Sequence, residues 1–244
     1  MFNTYLEKNL NVLPKDKQAD VKNIREQNRF VPFSDRPNTS HIHMDTLLMS
    51  QGVRDCNSWR GIALGKSVYD FALIPMIIWE NKPATILEIG SGEGASAIWM
   101  ADLCKSYKIP RCNTIGGYSH VYSVDIKPPN VTYDGVTFLS GDIRNIPYLS
   151  DNTLFDVTTL PHPWLIVEDA HVNVNKVMKY FATHMHRGDY IIIEDSRSKM
   201  QSKLEVPDTL LVDTYYCDYF GRNATSSVNT ILRKEYTMLS RSTP

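Results

Sequence analysis

Two pairs of adjacent carboxylates stand out in this chain. Glu168-Asp169 ends the apolar run Leu165-Ile166-Val167, and Glu194-Asp195 ends the run Ile191-Ile192-Ile193. If the two runs are neighbouring strands, up to four acids converge at one crevice. Like charges at short range repel, and burial raises the cost. A divalent cation resolves the conflict, and oxygen ligands suit Mg²⁺ or Ca²⁺, with Mn²⁺ also admissible. The plainer alternative is that these acids cap helices or pair with Arg197 and Lys199. His171 lies two residues beyond Asp169 and is the natural candidate to move a proton there, because its ordinary pKa lies near neutrality.

A second feature lies upstream. Thr85-Ile86-Leu87-Glu88-Ile89-Gly90-Ser91-Gly92-Glu93-Gly94-Ala95-Ser96 passes from an apolar run through three glycines into a helix-like segment. Without Cβ atoms, glycines let a ligand lie against bare backbone, and a helix N-terminus supplies free N–H groups. Gly90, Ser91, Gly92 and Ser96 are the candidate cradle. The string Gly90-x-Gly92-x-x-Ala95 also satisfies the dinucleotide fingerprint. Glu88, two residues before the first glycine, instead resembles the first motif of class I S-adenosylmethionine-dependent methyltransferases, whose cofactor is cationic at its amino and sulfonium groups. A long segment before this strand points the same way.

Elements must bring these features together. Strands are expected over Ala84–Ile89, His120–Asp125, Gly135–Ser140, Trp164–Glu168 and Asp189–Glu194, with helices over Ser67–Glu80, Ala95–Ser106 and Val172–His186. Apolar strands alternating with helices imply a mostly parallel sheet covered on both faces. Thr209–Tyr216 and Ser227–Arg233 read as two further strands forming a hairpin-like antiparallel edge. Ligands of such sheets bind beyond the carboxyl ends of the strands. Asp125 is therefore the candidate for the ribose hydroxyls, and Asp142, after the third strand, for the adenine amino group or else a turn cap. Residues 1–60 read as an N-terminal arm and lid, with Val21–Asn28 a candidate helix, and residues 61–244 as the catalytic domain. The arm would lie on the body or on a partner subunit, so a homo-oligomer is expected.

The 244 residues, 42% of them hydrophobic, suit one α/β domain with extensions. A net charge of −1 shows no basic surplus for a nucleic-acid partner. The N-terminus lacks the apolar core of a signal peptide. The apolar stretch Phe71–Trp79, broken by Pro75, is too short to span a bilayer. The four cysteines, Cys56, Cys104, Cys112 and Cys217, form no C-x-x-C pair. Reduced thiols and a cytoplasmic location are the expectation.

The run His162-Pro163-Trp164-Leu165-Ile166-Val167-Glu168-Asp169-Ala170-His171-Val172-Asn173, followed by Gly188-Asp189-Tyr190-Ile191-Ile192-Ile193-Glu194-Asp195, resembles the family named for cephalosporin hydroxylase and rhamnosyl O-methyltransferase. Trp59-Arg60-Gly61 and Asn223-Ala224-Thr225-Ser226-Ser227 also fit its pattern. The resemblance implies a Rossmann-like class I methyltransferase fold, S-adenosylmethionine as cofactor, and Mg²⁺ held by Asp169, Glu194 and Asp195. Glu168, where the family often has Asp, is a second-choice ligand. The implied reaction is Mg²⁺-dependent O-methyl transfer to a hydroxyl of a sugar or natural-product acceptor. His171 would be the base and Asp169 its partner in the catalytic pair. Trp59, Trp164, Tyr215, Tyr216 and Tyr219 could supply a stacking wall, though aromatics at such spacing more often belong to the core. The alternatives are an iron-dependent hydroxylase, which needs a second histidine such as His41 or His43, and a cofactor-binding accessory subunit.

Overall fold

The computed structural model describes residues 29–52, 57–110, 117–146, 149, 155–197 and 203–235. In chain order the strands are β1 (Phe30–Val31), β2 (Ser58–Trp59), β3 (Ile62–Ala63), β4 (Thr85–Ile89), β5 (His120–Asp125), β6 (Val136–Ser140), β7 (Trp164–Glu168), β8 (Tyr190–Ile193), β9 (Leu210–Asp213) and β10 (Ile231–Lys234). The helices are α1 (Met44–Met49), α2 (Val68–Asn81), α3 (Ala95–Ser106), α4 (Val174–His184) and α5 (Thr214–Cys217).

Eight strands form one sheet in the order β1-β9-β10-β8-β7-β4-β5-β6. The run β8-β7-β4-β5-β6 is parallel, and β10, β9 and β1 add antiparallel partners at one side. The expected mostly parallel sheet with an antiparallel C-terminal edge is present. The central strands β4, β7 and β8 are buried throughout, which explains why their sequences are apolar runs rather than alternating ones. From β4 the chain winds outward to β5 and β6, then returns to place β7 on the other side of β4. The reversal makes β4/β7 the switch point, where open α/β sheets bind ligands.

Helix α2 starts on a reciprocal cap. Ser67 Oγ accepts from the Asp70 backbone N–H and donates to the Asp70 carboxylate. The helix runs through Pro75; its buried residues Leu73, Ile74, Ile77 and Ile78 offset the hydrogen bond that proline cannot make.

The two C-terminal strands pair antiparallel as the expected hairpin-like edge, but within narrower bounds. β10 lies between β8 and β9, and Ser227–Thr230 are a buried polar turn rather than strand. The strand expected over Thr209–Tyr216 stops at Asp213, whose side chain caps α5 by accepting from the Tyr215 N–H. The N-terminal segment contributes β1, paired antiparallel to β9. Arg29 anchors it: its guanidinium donates to both oxygens of the fully buried Asp213, which also accepts from Tyr190 Oη at 2.8 Å. The candidate helix over Val21–Asn28 lies outside the described residues. No helix among the described residues is long and apolar enough to cross a membrane.

Candidate functional site

The carboxyl ends of β4, β7 and β8 converge through backbone hydrogen bonds. Asp169 N donates to Ile89 O at 2.8 Å, Glu194 N to Glu168 O at 3.0 Å, and Gly90 N to Val124 O at 2.8 Å. Gly90 has φ +100°, and a Cβ there would lie 2.8 Å from Ala170 N and 2.9 Å from the Asp169 carbonyl carbon. The first glycine is required because the chain after β7 crosses against it. Gly92 is different: at φ +46° it faces open space, as a glycine beneath a ligand should. Gly94, at φ +87°, would clash with Phe138 and Pro129, so its reason is packing.

The acids on this side are satisfied by backbone and hydroxyl groups. Glu88 is fully buried and accepts from Ser96 Oγ and Ser123 Oγ. Burial pushes its pKa up to about 7, against the pull of Lys66 and the two hydroxyls. It braces the cradle from below. Asp125 ends β5 with Oδ2 accepting from Ser91 N at 2.9 Å and Oδ1 from Lys127 N at 2.9 Å; each oxygen keeps a further acceptor site. Ser91 Oγ lies 2.7 Å from Ser123 Oγ. Asp142 is a turn cap: Oδ1 accepts from Arg144 N at 2.9 Å, and Oδ2 pairs with Arg144 Nη2 at 2.8 Å.

The β7 and β8 side is built otherwise. β8 ends at Ile193, and Asp195 adopts the left-handed region at φ 45°. Adjacent acids on a straight strand would face opposite ways; this turn lets Glu194 point inward while Asp195 stays exposed. Asp169, His171 and Asp195 each offer a ligand atom within 4.8 Å of the others. His171 Nε2 lies 3.5 Å from Asp169 Oδ1 and 3.7 Å from Asp195 Oδ2. Asp195, then Asp169 and Glu168, raise the His171 pKa against its partial burial, and His171 in turn lowers that of Asp195. Glu168 is buried, takes the His171 N–H on Oε1 at 2.8 Å, and has its pKa pushed up to about 7 by burial.

Glu194 stands apart from the open group. It is 4% exposed, and Oε2 is held by Lys66 Nζ, which also donates to Asp169 Oδ2 at 2.8 Å. Burial disfavours the Lys66 charge, but Glu194 and Asp169 more than offset this and raise its pKa. Glu194 Oε1 is buried with no hydrogen-bond partner.

Lys66 is the site residue that the sequence reading missed. The alternative pairing with Arg197 also takes another form: Arg197 donates to Ser40 Oγ at 2.7 Å, while Lys199 lies outside the described residues. His41 Nδ1 accepts from Arg222 N at 3.1 Å, and among the described residues neither His41 nor His43 joins the ligand group.

Most of the candidate wall aromatics take the core alternative. Trp164, Tyr215 and Tyr216 are buried, and Trp59 donates to Asp102 on α3 at 2.8 Å. Trp59 sits in a tight β2–β3 hairpin whose turn, Arg60-Gly61, has both φ angles positive, as a two-residue hairpin demands. Tyr219 is exposed, and its neighbour Phe220 packs edge-on against Tyr69.

Residues 51–146 match the family model described as Rhamnosyl O-methyltransferase/CmcI. This chain is similar to that family. The match spans the Trp59-Arg60-Gly61 hairpin and the glycine loop and ends before β7, so the acid cluster rests on its own geometry. A structure of CmcI described with Mg-SAM is 22% identical, with a TM-score of 0.59 over 89% of this chain and 95% of that one. CmcI described with SAH is 24% identical, with a TM-score of 0.57 over 83% and 95%. These likenesses establish the class I methyltransferase fold over nearly the whole described chain. No curated protein sequence matches. The fold is therefore shared over most of the chain, and the likeness to the family model is confined to residues 51–146.

Proposed function

We propose that this chain transfers a methyl group from S-adenosylmethionine to a hydroxyl of a sugar or natural-product acceptor, with Mg²⁺ held at the β7/β8 acids. The observation that carries this reading is a shared wall. The backbone of Asp169 and Ala170 packs directly on Gly90, so the glycine loop and the acid cluster adjoin.

The donor set fits a hard cation. Asp169 and Asp195 present carboxylate oxygens beside one another, and Glu194 keeps an unpartnered buried oxygen. Asp169, Asp195 and Glu194 would hold the ion. When bound, it lowers the pKa of a coordinated hydroxyl and fixes its direction. His171, facing both aspartates, is placed to accept the hydroxyl proton at Nε2. Loss of that proton leaves the acceptor oxygen free to attack the donor methyl, the O–C bond forming as the S–C bond breaks and S-adenosylhomocysteine leaves. The cradle around Gly90, Ser91, Gly92 and Ser96 would hold the donor, with Asp125 at the ribose and Asp142 near the adenine. Asp142 is the weakest of these, because Arg144 already occupies it. Much of the remaining acceleration is positional.

Mass spectrometry of products from panels of hydroxylated acceptors, with S-adenosylmethionine and MgCl₂, tests the proposal. The expected product gains one methyl, and EDTA abolishes it. A gain of one oxygen would assign the chain to hydroxylation instead, and no turnover with any acceptor would favour an accessory role. Full activity in EDTA would leave methyl transfer standing without the metal.

A further inference from the structure

Lys66 reaches the acid cluster from outside the sheet. It precedes Ser67, the N-cap of α2, and its carbonyl accepts from Asn57 Nδ2 at 2.9 Å. Its side chain is 3% exposed, with Nζ between Asp169 and Glu194. The cluster is thereby divided. An inner part, Glu194, is buried, and an outer part, Asp169, His171 and Asp195, keeps side-chain exposures of 29%, 33% and 53%. Asp169 belongs to both, giving Oδ2 to Lys66 and turning Oδ1 toward His171.

We propose that Lys66 is a resident cation that neutralises the buried Glu194 and its neighbour Asp169, so that the protein folds without a divalent ion and holds that ion weakly, at Asp169, Asp195 and the remaining Glu194 oxygen. The inference rests on the metal site proposed above. A buried carboxylate needs a compensating charge, and removing one partner of a buried pair leaves the other uncompensated. Lys66 supplies that charge permanently. It also sits against Asp169, a ligand of the proposed ion, so its positive charge opposes a second cation. Without Lys66, Glu194 and Asp169 would depend on the divalent ion alone, and folding would become linked to metal binding. Lys66 is a positioning residue here: it acts on the ligand carboxylates, not on the acceptor.

The test uses the full chain. Lys66→Met removes the charge and keeps most of the stem; Lys66→Gln keeps a hydrogen-bond donor; Lys66→Arg keeps the charge. Thermal unfolding in EDTA and in MgCl₂ is combined with calorimetric titration of MgCl₂. The parent and Lys66→Arg should melt within a few degrees of themselves in the two buffers. Lys66→Met or Lys66→Gln should melt well below the parent in EDTA, recover most of the loss in MgCl₂, and bind Mg²⁺ at least tenfold more tightly. Rescue by Mg²⁺ in either neutral variant supports the proposal. Equal destabilisation with and without Mg²⁺ in both, or unchanged affinity, overturns it while leaving the metal site intact. Absence of Mg²⁺ binding in the parent removes the metal site and this inference together.

Discussion

The two halves of the sheet's carboxyl rim satisfy their acids in different ways. Beyond β4 and β5, Glu88 and Asp125 are met by neutral donors: two serine hydroxyls for the one, two backbone N–H groups for the other. Beyond β7 and β8, Asp169, Glu194 and Asp195 are met by charge, from Lys66 and His171. Neutral donors fix a carboxylate's direction without cancelling its charge, and the first half becomes a rigid cradle with acceptor capacity to spare. Charged partners set the electrostatic balance of the second half, so any change of cation there is felt as both binding and stability. Carboxylates alone do not reveal the chemistry; what faces them does.

Gly90 is where the halves meet, and its replacement should break both. Gly90→Val puts a Cβ 2.8 Å from Ala170 N in a left-handed conformation. The expected outcome is loss of S-adenosylhomocysteine binding in calorimetry together with destabilisation of more than about 4 kcal/mol in denaturant unfolding. A stable Gly90→Val chain that binds normally would show that the halves are independent.

Asp195→Ala should break one half alone. Metal-dependent turnover is expected to fall by roughly 100-fold or more, since even outer-shell partners of a bound metal are worth 10- to 100-fold. Affinity for S-adenosylhomocysteine should stay near the parent value. Activity against MgCl₂ concentration reads the first and calorimetry the second. Parental activity in this variant would make the outer acids structural.

Asp125→Ala is the complementary cut. Loss of a charge-assisted hydrogen bond to ribose costs about 1.5–3 kcal/mol, roughly 10- to 150-fold in Kd, with the Mg²⁺ dependence of the residual rate unchanged. An unaltered Kd would remove the ribose role from Asp125.

Glu88→Gln is expected to give the smallest effect, visible in pH dependence. The Glu88 pKa rises from the ordinary 4.5 to about 7 in the folded chain, so in that window the folded state holds the extra proton. Unfolding free energy then falls as pH rises through it. The parent should lose more thermal stability than Glu88→Gln between about pH 5 and pH 8 in EDTA. Parallel profiles would mean that Glu88 is already ionised across the range.

Legibility follows the same division. The strands His120–Asp125 and Trp164–Glu168 and the helix Ala95–Ser106 fall where their patterns place them, because local burial dictates their residue types. The end of β8 was readable to within one residue, because its apolar run stops at Ile193. Lys66 was not. It meets Asp169 and Glu194 across 103 and 128 residues of sequence, and a lysine before a helix cap has no local mark of burial. The same holds for Trp164 and Tyr216, aromatics whose types suit a wall as well as a core. The segment Ser227–Thr230 misled for the opposite reason. Its buried polar side chains are satisfied by distant partners, as Thr230 Oγ1 is by Ile193 O at 2.7 Å, so an irregular turn reads like a strand's approach.

The short strand Phe30–Val31 has a further consequence. It pairs with Val212 and Asp213, half of β9, and the next residue, Pro32, has no N–H to offer. Among the described residues, the outermost strand on that side is two residues long and stops at a proline, a short template for another strand. A second copy meeting those residues would find little backbone to extend, and side-chain surfaces would carry the contact.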